Sequence, residues 1–133
     1  MTEFMKGLAS MLRAAIVGLL LLHTGCGTDG SDNVVEISTS DLPPSAGTDT
    51  AGHWQSSDWD AGWIAYEAET SLRIEHPLGR RPSSVLVYIS FSPDGHAAGM
   101  AVGDSARIIA ITETHVTIQN ALRENFFARV VLQ

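Results

Sequence analysis

Ser92, Asp94 and His96 of "SPDGHAAG" are the residue types that make a nucleophile, an orienting acid and a base. A hydrolase needs all three within hydrogen-bond reach of one another, and alternate positions in a Pro-Gly turn do not supply that geometry. No G-x-S-x-G elbow accompanies them. The stretch reads as a turn. "GMAVGD", residues 99 to 104, has two glycines but neither the lysine nor the strand-to-helix context of a phosphate loop, so no nucleotide is expected.

Metal chemistry fares no better. His53, His76, His96 and His115 avoid the H-x-H and i, i+4 spacings that set two zinc ligands together. Ser56, Asp58, Asp60 and Glu67 place oxygens at calcium-loop positions, but Ser opens the loop where Asp is wanted and Ala61 stands where the sharp turn demands Gly. Neither a metal nor a cofactor is expected, and no enzymatic activity.

The aromatic cluster is the feature with binding chemistry. Trp54, Trp59, Trp63 and Tyr66 fall within 13 residues, beside Asp58 and Asp60. Flat rings stack on sugars, and flanking carboxylates accept hydrogen bonds from hydroxyls. Large aromatics are mostly buried, so Trp63 and Tyr66 are expected as core or sheet-face residues. Trp54, Trp59, Asp58 and Asp60, in loop-like sequence, are the candidate ligand-binding residues.

Cys26, the sole cysteine, concerns address rather than activity. Lys6 and Arg13 precede an apolar run, "AAIVGLLLL", which is too short to span a bilayer and reads as a signal-peptide h-region. Thr24 and Gly25 offer the small side chains that a signal peptidase accepts. The arrangement resembles the lipobox of bacterial lipoproteins, although His23 stands where that pattern prefers Leu. The resemblance implies that residues 1 to 25 are removed and that Cys26 carries lipid. A lone cysteine without a disulfide partner fits that reading. Gly27 after the cysteine, by analogy with lipoprotein sorting rules, suggests the outer membrane.

Beyond the leader the chain holds six Arg, no Lys and 14 of the 15 acidic residues, a net charge near −8. Nucleic acid is therefore a poor partner, because its binding rests on basic patches. The membrane would be reached through the lipid rather than through charge.

Residues 26 to 52 are rich in Gly, Ser, Thr, Asp and Pro and contain no aromatic side chain. Such a segment buries too little apolar surface to offset its ordering entropy, and it is expected to be a disordered tether. An edge strand at "VVEIS" is the second choice. Residues 53 to 133 then form one small domain. Leu72, Ile74 and His76 alternate with polar neighbours in a half-wet strand, and "SVLVYISFS" is apolar on both faces, which places it at a sheet centre. Residues 106 to 112, 115 to 120 and 125 to 133 add three more strands, and helix signals are nearly absent. The expected fold is all-β, a single small antiparallel β-sandwich.

Gly62, Trp63, His76, Leu78, Gly79, Pro82, Val85, Val87 and Tyr88 make a Gly-Trp strand, a His-x-Leu-Gly corner and a V-x-V-aromatic strand. This pattern resembles a module found at the ends of phage tail fibres and in bacterial surface proteins. The resemblance implies a β-sandwich, often trimeric, with no catalytic residues. The sequence as a whole points to a lipid-anchored, envelope-facing, non-enzymatic binding or structural module. Its partner would be an envelope protein or surface glycan, and carbohydrate binding through the Trp-rich loop is the alternative.

Overall fold

The computed structural model describes residues 33 to 133. The leader, Cys26 and Gly27 lie outside the described residues. Ten strands follow in order: β1 (Asn33–Ile37), β2 (Gly47–Thr48), β3 (Trp54–Gln55), β4 (Ile64–Tyr66), β5 (Thr70–Glu75), β6 (Val85–Ser90), β7 (Gly99–Met100), β8 (Arg107–Ile111), β9 (His115–Asn120) and β10 (Phe126–Leu132). They form two sheets of mostly antiparallel strands, a small β-sandwich. One sheet has the order β1-β5-β9-β8. The other runs β2-β3-β10-β6-β7, with β4 also paired to β10.

The domain begins earlier than residue 53. β1 pairs in parallel with β5, from Asn33 opposite Thr70 to Ile37 opposite Ile74, so residues 33 to 52 are not tether. A 3-10 turn at Thr39–Asp41 follows, where the Thr39 backbone N–H donates to Glu75 Oε2 at 3.0 Å, and Leu42 packs against the core. Composition misjudged this segment because an edge strand is held by its neighbour's backbone groups and needs few apolar side chains of its own. The segment left between Cys26 and the first described residue is 27 to 32.

Alternation sets which side chains face inward. Leu72 and Ile74 of β5, Val116 and Ile118 of β9, and Ala128, Val130 and Leu132 of β10 are buried between the sheets. Tyr66 joins them in the core, whereas Trp63 is buried outside that cluster, against Trp59 and the Gly95 turn. The strand at the centre of the larger sheet is β10, not β6. β10 pairs with β6 along one edge and with β3 and β4 along the other, whereas β6 is flanked on its far side only by the two residues of β7.

His76 closes one end of the core, its ring 6.4 Å from that of Trp54. Its Nε2 lies 3.3 Å from the Thr112 carbonyl oxygen, and its Nδ1 has no partner among the described residues. Burial, the largest cause, lowers its pKa from the ordinary 6.5. The unfolded chain therefore binds the proton more readily than the native one. Stability from this group is full above about pH 6.5 and is lost as pH falls toward the depressed native value. Chemical denaturation from pH 7 down to pH 5 should show that decline, and His76→Gln should flatten it. The carboxyls of Asp41, Asp49, Glu75 and Asp94 are also held below their ordinary values, chiefly by hydrogen bonds, so their acid limb lies lower, below about pH 4. A decline of equal size in the variant between pH 7 and 5 would remove His76 as its source.

Candidate functional site

β3 and β4 lie along the same edge of β10 with the loop from Ser56 to Trp63 between them. The loop opens a gap in the ladder beside Arg129. Ser56 still belongs to the ladder, since its N–H donates to the Val130 carbonyl and its hydroxyl accepts from the Val130 N–H, each at 2.9 Å. At the gap, Arg129 Nε donates to the Ser57 carbonyl at 2.8 Å and Nη2 to Gln55 Oε1 at 2.7 Å. Gln55 Nε2 in turn donates to Asp58 Oδ1 at 2.8 Å. An amide thus relays between a buried cation and an exposed carboxylate.

Trp59 folds back over this gap. The Arg129 guanidinium carbon lies 4.2 Å from the indole centroid and 5.8 Å from that of Tyr88. Trp59 meets Tyr88 edge-on at 4.7 Å and Trp63 at 6.0 Å. Arg129 is only 4% exposed and forms no ion pair among the described residues. Burial lowers its pKa, while Tyr88 and Asp58 act in the opposite sense. Contact with two ring faces is a further way to offset the desolvation of a guanidinium.

A neighbouring turn holds the loop in place. Gly95 N–H donates to the Ser92 carbonyl at 3.1 Å, closing the expected Pro-Gly turn, and the Trp63 N–H donates to Pro93 O at 2.9 Å. Trp63 Nε1 donates to Trp59 O at 3.2 Å. Gly95 has φ +74°, and a Cβ there would run into the Trp63 ring, 2.5 Å from Cε2, and lie 2.7 Å from Trp59 O. Gly95→Ala combines left-handed backbone strain with overpacking and should cost about 2–4 kcal/mol. Gly47→Ala, in open space without a positive φ, should change little. Urea titration of both variants checks this; equal midpoints would refute the close approach.

The register shows why this face is unusual. Even-numbered residues of β10 point into the core, so Phe127, Arg129 and Val131 point outward, level with Ser90, Tyr88 and Leu86 of β6. The outer side of a sandwich sheet ordinarily alternates to polar residues. Here Leu86, Tyr88, Phe127 and Val131 are half-buried, and Met100, paired with Tyr88, is 57% exposed. Trp59, 52% exposed, stands above them with one indole side on Arg129.

The four candidate ligand-binding residues separate. Trp59, Asp58 and Asp60 lie exposed on one loop. Trp54 does not join them: it is 1% exposed, opposite Leu132 in β3, and belongs to the core. The residue that sequence reasoning passed over is Arg129, whose signal was a lone charge inside the apolar "FFARVVL". At the other candidate, Ser92 Oγ donates to Asp94 Oδ1 at 2.5 Å, and His96 reaches Asp94 through its backbone N–H at 3.0 Å. Asp94 therefore caps the turn, and the hydrogen bond from His96 places no imidazole nitrogen on Ser92. Among the described residues, no three His, Cys, Asp or Glu side chains gather as a metal site would require.

No family model, curated protein or solved structure matches the chain.

Proposed function

We propose that this protein is a non-catalytic binding module of the cell envelope, held to the membrane through lipid on Cys26 and engaging another envelope molecule through the outer face of its larger sheet. The observation that carries the reading is Trp59: a large ring, half exposed, yet braced by Arg129, Tyr88 and Trp63. Leaving such a ring in water is unfavourable, and a braced ring gives up little conformational entropy on binding. The apolar side chains beside it extend the same surface.

A second reading, that the ligand is a carbohydrate, is favoured by Asp58 and Asp60 on the same loop. Their carboxylates can accept hydrogen bonds from hydroxyls while the indole stacks on a sugar ring. The outer membrane as the destination, suggested by Gly27, and kinship with the tail-fibre modules belong to the proposal as well.

Two tests follow. Cys26→Ser should abolish palmitate labelling and leave the precursor uncut; labelling that persists would remove the anchor. A glycan array probed with the wild-type protein and with Trp59→Ala separates sugar from protein partners. Binding that Trp59→Ala lowers at least tenfold supports the carbohydrate reading, and binding that it leaves unchanged rejects Trp59 as the platform.

A further inference from the structure

The paired ends of the strands define which end of the sandwich meets the anchor. β1 runs parallel to β5, so Asn33 lies beside Thr70. Thr70 lies opposite Asn120, whose side-chain amide donates to the Glu67 and Glu124 carbonyls at 3.0 and 2.8 Å. Ala68 N–H donates to Asn125 Oδ1 at 2.9 Å, and Tyr66 pairs with Phe126. Phe127 pairs with Ser90, and the next residue, Phe91, lies against the Phe126 ring at 5.2 Å. All of these residues share one end. Arg80 and Arg81 follow β5 and precede β6, at the opposite end, where Ser83 and Ser84 bond Gln133.

Cys26 precedes Asn33 by seven residues, no more than about 25 Å of fully extended chain. β6, six residues long, spans roughly 20 Å between the two ends. A lipid on Cys26 therefore holds Asn33 within about 25 Å of the bilayer. Its own end of the sandwich reaches the surface more readily than the opposite end, roughly 20 Å further along the strands. Phe91 at that end is 76% exposed, the most exposed of the domain's large hydrophobic side chains.

We propose that this end, led by Phe91 with Phe126 behind it, rests in the interface of the bilayer to which the protein is anchored. The inference rests on the lipidation of Cys26. An exposed apolar ring such as Phe is covered by entering the boundary between headgroups and acyl chains, and an acyl anchor supplies the high local concentration that one ring needs to stay there. The nearby charges set the lipid class. Glu67, Glu69 and Glu124 outnumber Arg123, which itself reaches Glu69 at 3.9 Å, so the end suits zwitterionic headgroups and is repelled by anionic ones. Trp59, on the flank of the sheet, then remains open to the aqueous side.

The test uses full-length lipidated protein in phosphatidylcholine vesicles carrying nitroxide-labelled lipid. A fluorophore is placed at Glu124→Cys, at the anchored end, or at Arg81→Cys, at the far end. Quenching at least threefold stronger at 124 than at 81, reduced by adding phosphatidylglycerol or by Phe91→Ser, is the expected result. Equal quenching at both positions, or quenching at 124 that Phe91→Ser leaves unchanged, would overturn the interfacial contact while palmitate on Cys26 stands. Loss of palmitate from the wild-type protein would overturn the anchor and the contact together.

Discussion

A chain cut after Asn125 will not fold. β10 is the strand that every other part of the larger sheet needs, since β3, β4 and β6 all pair with it directly and β2 and β7 only through β3 and β6. It also sends Phe126, Ala128, Val130 and Leu132 into the core. The three larger of these contribute about 1.5–3 kcal/mol each, before any ladder hydrogen bond is counted. A domain of this size holds about 5–15 kcal/mol in total. Removing residues 126 to 133 should therefore abolish the cooperative melting transition and the β-sheet circular dichroism. A truncated protein that melts as the whole chain does would refute the placement of β10 at the centre.

Trp54 and Trp59, five residues apart in the sequence, should behave in opposite ways. Trp54 is in the core against Leu132 and His76, and Trp54→Ala should cost about 3–5 kcal/mol, a large share of the stability. Trp59 is half exposed and forfeits mainly its contact with Arg129, so Trp59→Ala should cost about 1 kcal/mol or less. Urea midpoints at constant m-value would read the two losses. Iodide should quench Trp59 and spare Trp54 and Trp63. Equal losses, or a Trp54 open to iodide, would mean that the two rings share a surface.

The difference between those residues shows what the sequence could say. The alternation of Leu72, Ile74 and His76 revealed a buried face because period-2 patterning survives wherever one side of a strand is wet. Gly79 and Gly95 occupy corners with positive φ that the Pro-Gly context had signalled. Trp54 was misplaced because β3 is two residues long, too short for any period to show. β1 was misplaced because its membership is decided by a β5 edge 37 residues away, which no local window contains. The apolar outer face of β6 was visible in "SVLVYISFS" but was taken for central burial; the same pattern marks a face that another element or molecule can cover. Arg129 was hidden for a related reason, since its role depends on a loop that closes over it from 70 residues upstream.

The proposed binding depends most directly on Trp59 as the point of contact. With the indole nitrogens isotopically labelled, the full chain gives a separate signal for each of Trp54, Trp59 and Trp63, and titration with a ligand found on the array or captured from the envelope follows all three. The proposal predicts that the Trp59 signal moves in step with occupancy while those of Trp54 and Trp63 move far less. A ligand that saturates the protein and leaves the Trp59 signal in place would contradict it.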